Sequence, residues 1–236
     1  MSTIAENIAN VRRQLQRAAH SAGRSADSLT LVAVSKTRPA GDIRAAHACG
    51  QTHFGENYLQ EALEKIAELS DLPLIWHFIG PIQSNKTRAI AEHFDWVHSV
   101  DRLKIAERLS AQRPASLPPL NICLQVNISN EPSKAGVSPA ELPELAAAVA
   151  ALPNLRLRGL MAIPAPASDS DSRRAPLRAL HELLESLPLP LDSLSMGMSD
   201  DLVEAVAEGA TLVRIGTAIF GARHYPNSST PQGHPQ

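Results

Sequence analysis

The chain has 236 residues, 44% of them apolar and 19% charged, with a formal net charge of -2. This is the composition of a globular protein with ample core, and the near-neutral charge excludes a general electrostatic attraction to nucleic acid or to an anionic membrane. Four Phe, two Tyr and two Trp offer few platforms for base stacking, and Cys49 and Cys123 show neither CxxC nor metal-ligand spacing. The opening MSTIAENIAN lacks a basic-then-apolar signal pattern and no apolar run approaches a membrane span, so a cytoplasmic location is expected.

Ile4, Ile8, Val11, Leu15 and Ala18 recur at helical spacing and predict an amphipathic helix ending near Gly23. Leu29 to Val34 is apolar or β-branched, the pattern of a strand buried on both faces, and Pro39 stops it. Strand-like and helical segments then alternate. The predicted strands are Thr52–Glu56, Leu74–Gly80, Trp96–Val100, Leu120–Asn127, Leu155–Ile163, Leu191–Met196 and Thr211–Ile219. The predicted helices between them are Tyr58–Leu69, Ser84–His93, Arg102–Gln112, Pro139–Leu152, one ending near Leu187, and one starting after Ser199. Eight such units in one chain of this length predict an α/β fold, a single (β/α)8 TIM barrel over residues 1–224 preceded by a helix. A disordered tail is expected over 225–236. An open doubly wound sheet is the alternative, but the sequence has neither GxGxxG nor a P-loop.

In such a barrel the chemistry gathers at the C-terminal ends of the strands. Lys36 shares a strand face with Val32 and Val34, and desolvation there would favour the neutral amine that attacks an aldehyde. The alternative is a lysine that ends the strand in water. Ser199, after the seventh strand, has the position of a helix N-cap, where it could hold an anion or simply cap. Asp200 and Asp201 suit capping and would repel an anion unless turned away. Arg214 falls on the face of Leu212, opposite Val213 and Ile215, so it points inward toward either an internal carboxylate or a ligand atom. Gly216 and Thr217 follow it, offering close backbone approach and a hydroxyl. Phe54 to Tyr58 close the second strand with a carboxylate, an amide and a phenol. The fifth strand places Asn121, Cys123, Gln125 and Asn127 on one face, the expected interior. His77 either lines the mouth or is a hydrogen-bonded core residue. No HxxxH or HExxH arrangement marks a metal site.

An amine, an inward guanidinium and an anion cradle are joined by one ligand that carries an aldehyde, a phosphate and a ring nitrogen, which is pyridoxal 5'-phosphate. The chain resembles the pyridoxal-phosphate homeostasis protein family, single-domain relatives of the barrel of alanine racemase. The resemblance rests on AVSKTRP from Ala33, FGENYLQE from Phe54, WHFIGPIQSNK from Trp76, SVDR from Ser99 and QVN from Gln125. It continues with KAG from Lys134, GLMAIPAP from Gly159, LSMGMSDD from Leu194 and VRIGTAIFGAR from Val213. It implies that Lys36 is the Schiff-base lysine, that Arg214 faces the pyridine nitrogen, and that Ser199, Gly216 and Thr217 hold the phosphate. Asn57 would line the cofactor.

The resemblance further implies a protein that buffers or delivers the cofactor and influences amino-acid and keto-acid balance. Pyridoxal-phosphate-dependent apoenzymes are then the expected acceptors, and a monomer is the expected state. An amino-acid racemase is the alternative, and a class I aldolase-like enzyme forming its Schiff base with substrate is a third reading.

Overall fold

The strands Thr30–Val34 (β1), His53–Glu56 (β2), Ile75–Phe78 (β3), Trp96–Val100 (β4), Leu120–Gln125 (β5), Leu155–Met161 (β6), Ser193–Ser195 (β7) and Leu212–Ile215 (β8) are all parallel. They close into a barrel in chain order, with β1 completing the ring against β8. The computed structural model describes residues 2–129 and 135–222. The tail expected to be disordered from Tyr225 lies outside the described residues, as does Lys134 of the KAG segment.

The helices are Ile4–Ser21 (α1), Ala40–Ala48 (α2), Leu59–Glu68 (α3), Thr87–His93 (α4), Leu103–Gln112 (α5), Leu142–Ala150 (α6), Ser170–Ser186 (α7), Leu202–Ala207 (α8) and Thr217–Phe220 (α9). Among the described residues, none is long and apolar enough to cross a membrane. The sequence reading does not delimit α2. A capping box between Thr3 and Glu6 starts α1, and its buried face, Ile8, Val11, Leu15, Ala18 and Ala19, packs against α8 and α9. Asn7 Nδ2 on α1 donates to Ile219 O of α9 at 2.8 Å, and Arg24 Nη1, just after α1, donates to Val206 O of α8 at 2.8 Å, tying this end of the chain to the last two helices.

Strand alternation sorts the side chains into two shells. Ala33, Phe54, Phe78, Val97, Ile122, Leu124, Val213 and Ile215 face the helices and form the main core. Val32, Cys123, Met161 and Leu212 pack as a separate small cluster inside the barrel. Trp96 packs against this cluster, and His53, His77, His98, Ser195 and Arg214 make much of the remaining interior polar.

Several predicted boundaries move, β5 ending at Gln125 rather than Asn127 and β6 at Met161 rather than Ile163, and two further changes bear on the site. Strand β8 ends at Ile215 rather than Ile219, because Gly216 turns the chain into α9, where Ile219 and Phe220 donate back to Gly216 O. The helix expected after Ser199 starts at Leu202. Asp201 occupies its N-cap position without a side-chain cap bond, and its carboxylate instead accepts from Met198 N–H at 2.6 Å.

Candidate functional site

At the C-terminal end of the barrel lies a cavity of about 590 Å³. Lys36, Asn57, Ser199, Arg214, Gly216 and Thr217 all line it, and Val34, Ile79 and Ile163 supply apolar walls. These residues come from the ends of β1, β2, β3, β6, β7 and β8, which only barrel closure brings together. The volume falls in the range of small-molecule sites, about 300–1,000 Å³.

Lys36 follows β1 in a tight turn. Thr37 takes φ 63°, a left-handed conformation that a β-branched residue adopts only when its surroundings enforce it. The enforcing contacts come from beneath. Thr37 N–H donates to Glu61 Oε1 at 2.6 Å, Lys65 Nζ donates to Ser35 O at 2.7 Å and to Glu56 Oε1 at 2.8 Å, and Ser35 Oγ donates to the same Glu56 oxygen at 2.7 Å. Glu56 and Lys65 are both buried. Burial raises the Glu56 carboxyl above its ordinary range, and Lys65 opposes that shift. Lys36 itself is half-buried, although it stands in the turn after β1 rather than on the strand.

The polar end of β2 divides. Glu56 points outward under α3, Tyr58 is exposed, and Asn57 lines the cavity. Asn57 Oδ1 is a buried acceptor with no hydrogen-bond partner among the described residues. Its backbone is pressed against Gly80, where a Cβ would lie 2.1 Å from Asn57 O, so only glycine fits after β3.

Arg214 points into the barrel, as its place opposite Val213 and Ile215 predicts. Its guanidinium is buried and holds no carboxylate among the described residues. Nη1 donates to Ser195 Oγ at 2.6 Å and Nη2 to Ala162 O at 3.1 Å. Burial pushes it down to about 10, with the more distant Asp201 opposing, so it remains a cation at neutral pH. Of the two expected partners, an internal carboxylate is absent from the described contacts, and the guanidinium borders the cavity instead.

Ser199 stands in the loop before α8 rather than capping it, and Gly216 and Thr217 open α9 on the same side of the mouth. A Cβ at Gly216 would come within 3.3 Å of Val34 O, so glycine keeps this turn close to β1. His77 is a core residue, fully buried in the interior below the cavity. Lys65 and Ser195 are two residues of this region that the sequence does not single out. The only signals were Lys65 spaced four residues after Glu61 on α3, and Ser195 inside the motif after Leu194.

A closed parallel barrel with an amine, a buried guanidinium and an orphaned amide oxygen at its C-terminal mouth defines a barrel of the alanine racemase N-terminal type. That family, described as the alanine racemase N-terminal domain, matches residues 3–224. Within it the chain belongs to the pyridoxal phosphate homeostasis proteins. It is 68% identical over 225 residues to the pyridoxal phosphate homeostasis protein of Pseudomonas aeruginosa, covering 95% of this chain and 98% of that one. The Escherichia coli protein of the same name is 56% identical over 231 residues, covering 95% and 99%. The solved structure of PipY from Synechococcus elongatus with pyridoxal phosphate bound superposes with a TM-score of 0.82 at 43% identity, covering 93% of this chain and 100% of that one. Alanine racemase from Corynebacterium glutamicum shares the fold at 19% identity and a TM-score of 0.64.

Proposed function

We propose that this protein binds pyridoxal 5'-phosphate in the C-terminal cavity and serves the cell's pyridoxal-phosphate homeostasis. The observation that carries this reading is the convergence of Lys36, Asn57, Ser199, Arg214, Gly216 and Thr217 on one cavity, with a buried cation and an orphaned acceptor among them. Lys36 supplies the amine for the aldehyde, and Arg214 meets the ring nitrogen. Ser199, Gly216 and Thr217 receive the phosphate, and Asn57 Oδ1 accepts from a donor on the ligand. When bound, the group supplies an electron sink for chemistry at an amino acid's α-carbon. A cation beside the ring nitrogen disfavours its protonation and weakens that sink, which suits holding the cofactor better than rapid turnover.

In this reading the chain is a single cofactor-binding barrel over 1–224, acts as a monomer in the cytoplasm, and passes cofactor to pyridoxal-phosphate-dependent apoenzymes. Nucleic acid and membrane are not partners. The test is titration of the purified protein with pyridoxal phosphate, followed by visible absorbance and by transfer to an added apoenzyme. Saturable uptake and transfer support the reading. Conversion of any L-amino acid to its D-form faster than by free cofactor would favour a racemase instead.

A further inference from the structure

A file of three histidines runs through the barrel interior below the cavity. His53 on β2, His77 on β3 and His98 on β4 are 24 and 21 residues apart, so each of three successive strands contributes one inward imidazole. His53 Nδ1 lies 2.9 Å from His77 Nε2, and His77 Nδ1 lies 2.9 Å from His98 Nε2. His98 Nδ1 lies 2.7 Å from Ser195 Oγ, the oxygen to which Arg214 donates. At the other end, His53 lines a separate cavity of about 360 Å³ at the N-terminal end of the barrel. His77 and His98 are fully buried and His53 half-buried. Trp96 stacks on His77 with 5.6 Å between ring centroids and 13° between planes, which holds the central ring.

The contacts fix a proton order. A guanidinium only donates, so Ser195 Oγ accepts from Arg214, and the serine's own hydrogen finds its acceptor in His98 Nδ1. His98 then carries its proton on Nε2 and donates to His77 Nδ1. His77 donates through Nε2 to His53 Nδ1, and His53 keeps its proton on Nε2. The opposite order would take the acceptor from a buried hydroxyl hydrogen, so it is disfavoured while all three rings are neutral. Burial keeps the inner two neutral. His98 is pushed down to about 3, with Arg214 adding to the shift, and His77 lies well below the ordinary value of 6.5.

We propose that His53, His77 and His98 are positioning residues for the cofactor cavity, coupling the protonation of His53 at the N-terminal end of the barrel to the hydroxyl that holds Arg214. A second proton on His53 makes its Nδ1 a donor. His77 must then accept at Nε2 and donate from Nδ1, and His98 likewise donates from Nδ1 to Ser195. One proton is taken from water, each inner ring and the Ser195 hydroxyl keep one, the hydroxyl hydrogen turns away from His98, and no heavy atom has to move. Ser195 Oγ then accepts from both His98 and Arg214, and its hold on the guanidinium slackens. The consequence for the ligand rests on the reading of Arg214 as the group that meets the ring nitrogen.

The charges facing His53 set where this happens. Asp95, before β4, favours the charged ring, and Arg113 lies beside Asp95. Arg12 and Asp27 are the other charged residues that line the N-terminal cavity with His53. Arg158, paired with Asp192, lies over Trp96 behind His77. Burial outweighs Asp95, and His53 titrates below 6.5.

Ring-nitrogen NMR spectra of the full chain without added cofactor, from about pH 8 to about pH 5, test the coupling. The expected result is that His77 and His98 stay neutral and exchange tautomer at the midpoint where His53 ionises, and that this exchange is lost in His53→Gln. Inner tautomers that stay constant through the His53 titration, or an exchange that persists in His53→Gln, would overturn it. With pyridoxal phosphate added, the visible band is expected to shift at the same midpoint in the natural protein and not in the variant. A band indifferent to that midpoint overturns the link to the ligand. Failure to take up pyridoxal phosphate overturns the cavity assignment alone, because the nitrogen spectra do not depend on it.

Discussion

Lys65 Nζ stands 2.8 Å from Glu56 Oε1 in a buried ion pair directly beneath the turn that carries Lys36. The pair does structural work at a distance from the cavity. It ties α3 to the end of β2 and, through Ser35 O, fixes where β1 releases the chain. Breaking it by Lys65→Met leaves an uncompensated buried carboxylate, and the expected loss is about 3–5 kcal/mol at neutral pH. The Glu56 carboxyl is already raised in the folded state, and losing Lys65 raises it further. A folded state that binds the proton more tightly than the unfolded one gains stability as pH falls. The variant's deficit should therefore shrink as pH is lowered toward the ordinary carboxyl value of 4.5. Urea denaturation of both proteins at neutral and mildly acid pH measures this, and a deficit independent of pH would contradict it.

Arg214 separates binding from stability. Its guanidinium is buried with two neutral acceptors and no carboxylate among the described residues, so the fold bears a desolvation cost that a ligand could offset. Arg214→Gln keeps a donor near Ser195 and removes the charge. The variant should unfold within about 1 kcal/mol of the natural protein or be more stable, following the behaviour of buried charges replaced by neutral groups. Its affinity for pyridoxal phosphate should fall about tenfold or more, equivalent to about 1.4 kcal/mol. Thermal unfolding and equilibrium binding on the same preparation give both numbers.

Gly80→Ala reaches the cavity through the backbone. The added methyl would lie 2.1 Å from Asn57 O, so β2 and β3 must part at their C-terminal ends. A loss of about 1–3 kcal/mol is expected for such overpacking, together with weaker cofactor binding as Asn57 Oδ1 leaves its place. Unchanged binding in a destabilised variant would show that Asn57 does not contribute.

The barrel was legible because strand-like runs, either apolar or alternating as in β5, recur between helical segments, although α2 left no clear signal of its own. Trp96–Val100 is observed with the predicted bounds, and the inward direction of Arg214 follows from Val213 and Ile215 alone. The helix after Ser199 was misplaced for a local reason. Ser, Asp and Asp all suit an N-cap, and only the fold decides that Asp201 takes that position and turns its carboxylate back to Met198. Glu56 and Lys65 were not legible as a pair, because their meeting depends on how α3 docks on the barrel. The histidine file left a fainter trace. Aligning the strands of successive βα units would have put His53, His77 and His98 on one interior face, whereas His77 considered singly offered only a choice between mouth and core.

On the proposed function, Lys36 presents its amine to a pyridoxal phosphate seated against Arg214 in the C-terminal cavity. Borohydride reduction of the protein mixed with pyridoxal phosphate, followed by peptide mass spectrometry, tests it most directly. The pyridoxyl mass is expected on the peptide containing Lys36, and no comparable labelling is expected in Lys36→Ala. A pyridoxyl group fixed chiefly on another lysine, or equal labelling of the variant, would contradict the account.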